Sequence, residues 1–217
     1  MFLALAMHPA DAPRAQPAQS VELPTPDRTG TMSVERALDQ RRSVRAYQRE
    51  AMALDDVSQL LWAAQGITHA NGYRTAPSAG ALYPLELHVV AGRVEGLAPG
   101  VYRYRPGDHM LVTTERRDRR ADLARAALDQ PWVQAGAIAV VITAVYERTA
   151  RKYGERAPRY AHIEAGHVAQ NIYLQATTRN LGTVIVGAFD DADVKAVLNL
   201  PDGEEPLAIM PVGQRRR

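Results

Sequence analysis

The stretch AGAIAVVITAV, residues 135–145, is an apolar run that only Thr143 interrupts. Such a run is typical of a strand that is buried on both of its faces. Residues 159–179 follow, and in them apolar side chains recur at helical spacing. Most of these apolar positions are small: Ala161, Ala165, Val168, Ala169, Ile172 and Ala176. We therefore expect a buried strand and a long helix that another helix can approach closely.

Shorter helices and strands surround this pair without a regular strand–helix–strand repeat. Apolar periodicity and capping residues predict further helices at residues 34–40, 55–65, 121–128 and 191–198. Alternation and turn residues predict strands at residues 85–91, 101–104, 110–113, 183–186 and 206–212. This mixture favours an α+β fold over a doubly wound one.

The composition excludes several kinds of site. The chain has 217 residues, which suits one domain, and it has no cysteine, so thiolate nucleophiles, Cys-ligated metals and disulfides are ruled out. Its 26 basic and 24 acidic residues are mixed along the chain, which does not indicate a nucleic-acid-binding surface. No Gly-rich dinucleotide or P-loop motif is present, and the His/Glu pairs of residues 162–167 lack the partners of a metal site. We expect no metal.

The first 30 residues differ in composition from the rest. We expect residues 1–30 to form a flexible Ala/Pro/Gln-rich extension and residues 31–217 to form the domain. The apolar run at the start is too short to span a bilayer. Ala10-Asp11-Ala12 has the form of a signal cleavage site, so a signal remnant is the alternative. The first reading predicts a cytoplasmic protein that does not contact membranes, and the second an exported one.

Three guanidinium groups and one hydroxyl lie within the segment Arg41-Arg42-Ser43-Val44-Arg45. Arginine forks bind phosphate oxygens in pairs, and a serine hydroxyl adds one more donor. The segment therefore suits a phosphate monoester. A solvated basic turn is the alternative.

A second candidate segment consists of small residues: Pro77, Ser78, Ala79 and Gly80. Small side chains let the backbone approach a flat ligand and donate amide hydrogens to it. An ordinary loop is the alternative.

Taken together, the chain resembles the nitroreductase superfamily, and within it the SagB/ThcOx-type thiazoline/oxazoline dehydrogenases. The resemblance covers nearly the whole chain, from about residue 21 to residue 213. Seven segments carry it in order: RRSVRAY (41–47), LLWAAQGIT (60–68), RTAPSAGALYPLELHVV (74–90), GVYRY (100–104), KYGERAPRYAHIEAGHVAQN (152–171), GAFDD (187–191) and PLAIMPVG (206–213).

The resemblance implies a central mixed sheet flanked by helices, and two interlocked subunits with FMN bound at their interface. The apolar stripe of residues 159–179 supports such a homodimer. The resemblance assigns the FMN phosphate to Arg41, Arg42, Ser43 and Arg45, with Arg215 as a further contact. The flavin ring would be lined by Pro77, Ser78, Ala79 and Gly80 of the partner subunit, and by Gln130 and Gly187.

The same branch has a Lys-Tyr pair, which Lys152 and Tyr153 match. Dehydrogenation of an azoline transfers a hydride to the flavin N5 atom and a proton to a base, which Lys or Tyr can provide. A surface lysine beside a packed tyrosine is the alternative. Many simple nitroreductases carry Asn where this chain has Ala81, and this difference favours the dehydrogenase branch.

The predicted function is thus an FMN-dependent oxidoreductase that acts on an azoline-type small molecule or peptide. Two alternatives stay open. One is an NAD(P)H-dependent nitro, quinone or flavin reductase, and the other is a non-catalytic flavin-binding subunit of a modification complex.

Overall fold

The computed structural model describes residues 19–216, which form one seven-stranded sheet with helices on both faces. The strands are β1 Ser20–Glu22, β2 Leu85–Ala91, β3 Gly100–Arg105, β4 Met110–Glu115, β5 Ile138–Ala144, β6 Leu181–Thr183 and β7 Glu205–Gln214. The α-helices are α1 Val34–Gln40, α2 Leu54–Gln65, α3 Arg120–Ala126, α4 Pro131–Ala135, α5 Tyr146–Tyr153, α6 Ala157–Thr178 and α7 Asp191–Leu198. Two 3-10 turns, Ala79–Ala81 and Gly154–Arg156, complete the list.

The sheet has the strand order β1-β4-β3-β2-β5-β7-β6. Every ladder between these strands is antiparallel, and parallel pairing is confined to two isolated bridges, Ser43 with Thr183 and Met52 with Val94. The predicted α+β class, with a sheet flanked by helices, is confirmed. Strand β5 is central and buried along its whole length, as the apolar run of residues 135–145 predicts.

Helices α2 and α6 pack on one face of the sheet, and α3, α4 and α7 cover the other. The small-residue stripe of α6 is buried within its own chain, between α2 and the sheet. The stripe therefore gives no support to the predicted homodimer, because contacts within one subunit already bury it. Its alanines let α6 pack closely against α2 and the sheet of its own chain. A pattern of small residues in the sequence does not distinguish such packing within one subunit from a contact between subunits.

The domain begins earlier than the composition indicates. Strand β1 pairs with β4, Leu23 is buried, and the Ser58 hydroxyl donates to the carbonyl of Pro24 at 2.5 Å. Residues 19–30 thus belong to the folded unit, because backbone pairing and one buried leucine fix them despite their polar composition. The predicted signal remnant lies outside the described residues.

Two further differences concern single elements. Helix α5 was not predicted, because the face that Tyr146, Thr149, Ala150 and Tyr153 share at helical spacing has no aliphatic side chain larger than alanine, and only Thr149 is buried. The strand expected at residues 183–186 is instead β6, Leu181–Thr183, followed by a single bridge from Val186 to Ile209. Among residues 19–216, no helix combines the length and apolar composition that a membrane span requires.

Candidate functional site

The arginine-rich segment is a turn that leaves α1 and joins the sheet. Arg41 caps the C-terminus of α1, and its backbone N–H donates to the carbonyl of Ala37 at 3.0 Å. Ser43 bridges to Thr183 of β6, and the amide of Val44 donates to the Thr183 carbonyl at 2.8 Å. We call residues 41–45 the Arg turn. Backbone bonds at both ends fix its position against the sheet edge.

Tyr173 of α6 connects this turn to the segment after β6. Its buried hydroxyl accepts the amide hydrogen of Ile185 at 2.8 Å and lies 3.1 Å from the hydroxyl of Ser43. The guanidinium carbon of Arg41 lies 5.0 Å from the centroid of the tyrosine ring. Sequence analysis did not single out Tyr173. Its only sequence signal is a tyrosine hydroxyl on an otherwise apolar helix face, which needs a partner when buried.

Two more predicted phosphate ligands are Arg45, the last residue of the Arg turn, and Arg215, which lies beside it. Arg45 stacks on Trp132 of α4, with its guanidinium carbon 5.5 Å from the ring centroid. A Cβ built on Gly182 would meet both the Val44 side chain at 2.6 Å and the Arg215 side chain at 3.3 Å. The structure therefore brings the Arg215 stem next to the turn.

The residues of the Arg turn fit a phosphate. Within the part of the chain that the structure describes, Arg41, Arg45 and Arg215 form no ion pair with a carboxylate. Two of these cations rest on aromatic faces, next to the exposed Ser43. Such a set can bind a dianion without first breaking a salt bridge. Arg42 differs, because its guanidinium donates to the carbonyls of Asp39 and Arg41 at 2.7 and 2.8 Å.

Gln130 and Gly187 also lie close together. The side-chain amide of Gln130 donates to the carbonyls of Ala127 and Ala188, both at 2.8 Å. Gln130 thereby holds the exposed segment that contains Gly187. The two residues are thus connected, because the side-chain amide of Gln130 holds the loop in which Gly187 lies.

The segment of small residues forms a tight turn in left-handed backbone conformations. Gly80 has a φ of 62°, and the non-glycine residues Ala81 and Tyr83 have φ values of 54° and 47°. Left-handed conformations at non-glycine residues cost free energy and are common at functional sites. We call residues 77–83 the Gly80 turn.

Lys152 and Tyr153 lie directly against this turn in the same subunit. A Cβ on Gly80 would be 3.0 Å from the Tyr153 hydroxyl and 3.2 Å from the Lys152 Nζ atom. The ring of Tyr153 contacts the edge of Tyr160, with 4.9 Å between centroids, and Lys152 Nζ lies 5.5 Å from the Tyr153 ring centroid. The two predicted bases thus share one site with the predicted ring-lining turn.

A buried carboxylate that the sequence connected only with an incomplete metal motif lies behind the Gly80 turn. Glu164 of α6 is 2% exposed, and Gln65 of α2 donates to it at 3.4 Å. Burial raises the pKa of Glu164, while hydrogen bonds from Ser78 and Gln65 act in the opposite direction. No local pattern reveals this group, because its partners are far apart in the sequence.

The Arg turn and the Gly80 turn lie near α6 at different positions along the helix axis. The first reaches Tyr173 and the second Glu164, nine positions apart by their residue numbers. At 1.5 Å per residue, this separation is roughly 14 Å along the helix axis. The two turns therefore lie at separate points along α6 within one subunit.

Comparison with known proteins identifies the family. Residues 38–214 match the model of the Nitroreductase family. A Methanocaldococcus jannaschii protein assigned as a nitroreductase is 44% identical over 196 residues, which cover 90% of this chain and 98% of that protein. The trifolitoxin-processing protein TfxB of Rhizobium leguminosarum bv. trifolii is 28% identical over 162 residues, 69% of this chain and 43% of its own length.

A solved structure gives the same result. The crystal structure of a protein from Ralstonia eutropha, assigned as a nitroreductase, superposes with a TM-score of 0.81 at 27% identity and covers 99% of this chain and 97% of that one. The sequence match and the fold agree over nearly the full described length. The chain therefore belongs to the nitroreductase family of oxidoreductases.

Proposed function

We propose that this protein is an FMN-dependent dehydrogenase of the SagB/ThcOx type, acting on an azoline or a related ring. The observation that carries the proposal is the proximity of Lys152 Nζ and the Tyr153 hydroxyl to Gly80: they lie 3.2 and 3.0 Å from the position that a Cβ on Gly80 would take. This arrangement puts two groups that can accept a proton beside the turn that would line the flavin. A relative named for trifolitoxin processing supports a role in the maturation of a larger product.

The Arg turn would hold the cofactor phosphate. Arg41 and Arg45 supply paired donors, Ser43 supplies a hydroxyl, and Arg215 adds a cation at the same edge of the sheet. Charge-assisted hydrogen bonds of this kind contribute about 1.5–3 kcal/mol each. Gln130 and Gly187 would line the ring from the other side. Bound FMN supplies a hydride acceptor for the C–H bond that breaks.

Oxidation of an azoline removes one hydride and one proton, and a double bond forms between the two atoms that lose them. Lys152 at Nζ, or Tyr153 at its hydroxyl oxygen, would accept the proton. Lys152 is exposed and Tyr153 is half-buried against Tyr160, so both groups can reach a substrate that lies on the Gly80 turn.

We also propose a homodimer that completes the site. The resemblance implies that the Gly80 turn of one subunit lines the flavin whose phosphate the Arg turn of the other subunit holds. Helix α1 carries two exposed apolar side chains, Val34 at 64% and Leu38 at 51% exposed. Beside it lies a groove of about 470 Å³ formed with α2 and α6. In sedimentation experiments, Leu38→Glu should shift the protein toward monomer and lower its FMN content; a wild-type monomer that retains FMN would contradict this.

Substitution of Lys152 tests the proposed function. Loss of a general base lowers the rate by about 10²–10⁴, so Lys152→Ala should oxidise substrate slower by that factor while FMN stays bound. Lys152→Arg should restore little, because arginine does not release its proton near neutral pH. The matched control is Lys195→Ala, which removes the other lysine, paired with Glu205 at 2.6 Å.

The same experiment separates the two alternatives. In a nitro or quinone reductase, no base is required, and both Lys152 variants would keep near wild-type NAD(P)H turnover. A non-catalytic subunit would bind FMN and show neither reaction. The dehydrogenase assignment would be overturned if Lys152→Ala oxidised the azoline as fast as wild type, or if wild type itself did not oxidise it.

A further inference from the structure

Helix α5 meets the Gly80 turn and the residue after it at three successive points. At its N-terminus, the backbone amide of Val145 donates to the carbonyl of Pro84 at 2.8 Å. Further along, Arg148 Nη1 donates to the carbonyl of Tyr83 at 3.0 Å. Lys152, four residues after Arg148, lies on the same side of the helix, and its Nζ atom is 3.2 Å from the position of a Cβ at residue 80. As α5 runs forward, its contacts therefore run backward along the turn.

The middle contact is a fork that joins three elements. While Nη1 of Arg148 binds the Tyr83 carbonyl, Nη2 pairs with the carboxylate of Glu86, the second residue of β2. The side chain of Glu86 is 10% exposed, and its Cα pairs in register with Thr143 of the central strand β5. A guanidinium group makes both bonds at once because its donors form a planar fork. Arg148 thus connects α5, the turn and the sheet at one point.

Tyr83 is a residue that needs such support. Its φ is 47°, and a left-handed conformation at a bulky residue costs free energy, so it persists where the surrounding structure imposes it. Its amide donates to Ser78 Oγ at 2.9 Å, and its hydroxyl accepts the amide hydrogen of Arg74 at 3.1 Å. The Arg74 guanidinium carbon lies 4.4 Å from the Tyr83 ring centroid. These partners belong to the turn and the segment before it, and Arg148 supplies the contact of Tyr83 with α5.

We propose that Arg148 is the positioning residue for Lys152: by holding the Tyr83 carbonyl and the Glu86 carboxylate together, it fixes α5 against the Gly80 turn and keeps Lys152 Nζ beside Gly80. The inference rests on the proposed function and adds a residue to it. Arg148 does not touch the reacting atoms in this scheme. Its loss should therefore lower the rate of the chemical step more than it weakens the binding of substrate.

Arg103 of β3 provides a matched control for the charge of Arg148. It binds the same carboxylate, with Nη2 2.9 Å from Glu86 Oε1 and Nε 3.1 Å from Oε2. Within the described part of the chain, the hydrogen bonds of its side chain go to Glu86 and not to the Gly80 turn. Arg103→Met thus removes a cation from Glu86 and leaves the bond to Tyr83 in place. If Arg148 served merely to balance the charge of Glu86, the two methionine variants would behave alike.

The first test is amide hydrogen exchange, which reports the turn whether or not the protein is active. The amides of residues 81, 82 and 83 all donate within the turn, at 3.0, 3.3 and 2.9 Å. Arg148→Met should speed their exchange by about tenfold or more, because it removes a hydrogen bond from a charged donor. Arg103→Met should stay within about threefold of wild type. Unchanged exchange in Arg148→Met, or equal changes in both variants, would overturn the inference.

The second test is a double-mutant cycle with azoline oxidation as the readout. Arg148→Met should lower kcat by about tenfold with little change in KM or FMN content, and Arg103→Met should remain close to wild type. In the Lys152→Ala background, Arg148→Met should cost less than about twofold more, because the group that it positions is gone. A tenfold loss in both backgrounds, or an effect on KM alone, would show that Arg148 does not act through Lys152.

The two tests also separate this inference from the proposed function. If the wild-type protein binds no FMN, the proposed function fails, and hydrogen exchange alone decides whether Arg148 fixes the turn. If Lys152→Ala is slow while Arg148→Met oxidises the azoline at the wild-type rate, the proposed function stands and the inference fails. If Arg148→Met does not fold, Arg148→Lys carries both tests. Lysine keeps the charge but cannot bind both partners as a planar fork, so wild-type exchange and kcat in that variant would overturn the inference.

Discussion

Gly80 is the residue at which backbone conformation and the proposed chemistry meet. Its φ of 62° costs an L-residue about 1–2 kcal/mol, and a Cβ there would come within 3.2 Å of Lys152 Nζ. Gly80→Ala should therefore lower the free energy of unfolding by about that amount and also reduce turnover, because the methyl group displaces Lys152 and Tyr153. Chemical denaturation and steady-state rates measure the two effects.

Gly72 offers a matched control at the same scale. It also has a positive φ, 81°, but a Cβ there would meet no atom within 4 Å. Gly72→Ala should show a similar loss of stability and near wild-type turnover. Equal losses of turnover in the two variants would mean that the contact between Gly80 and the Lys-Tyr pair has no role in the reaction.

At the scale of the elements, α6 holds both halves of the site. Tyr173→Phe should weaken FMN binding, because it frees Ser43 and leaves the amide of Ile185 without its acceptor. The expected loss of stability is about 0.5–1.5 kcal/mol. Tyr102→Phe, which removes a hydroxyl bonded to the Ala98 carbonyl at 2.6 Å on β3, is the control. It should lower stability without affecting FMN affinity; equal FMN affinity in both variants would contradict the role of Tyr173.

The same elements explain what the sequence can predict. The grouping of three arginines in the Arg turn is visible in the sequence because they lie within five consecutive residues, and β5 and α6 were predictable because their apolar patterns are nearly continuous. Helix α5 was not, since its inward face consists of two tyrosines, a threonine and an alanine rather than of aliphatic side chains. Glu164 and Gln65 come from two separate segments, and only the packing of α2 against α6 brings them together.

At the scale of the whole molecule, a buried carboxylate bonded to side chains of β2 and β5 makes the free energy of unfolding depend on pH. Glu204 is 2% exposed and is bonded to His88 Nε2 at 2.6 Å and to the hydroxyl of Thr143. These bonds hold the pKa of Glu204 below its ordinary value of 4.5, although burial acts against them. A lowered pKa in the folded state means that the ionised form stabilises the fold. This contribution is complete above about pH 4.5 and is lost as the pH falls through the lowered pKa.

Glu204→Gln should therefore be less stable than wild type at neutral pH, and the difference should shrink as the pH falls below about 4.5. Urea titrations between pH 3 and 7 measure it, with Glu147→Gln as the control for the loss of one exposed carboxylate. A difference that stays constant over this range would contradict the assignment of the charged form to Glu204.

The central claim is that the protein binds FMN. The flavin content of the purified wild-type protein tests it most directly. Heat release followed by chromatography and absorbance gives the identity and the amount of the flavin. The Arg turn suits a phosphate monoester, so we expect about one FMN per subunit, with a marked loss of flavin in Arg45→Ala. Protein that carries FAD, or that carries no flavin and does not take up added FMN, would contradict the account.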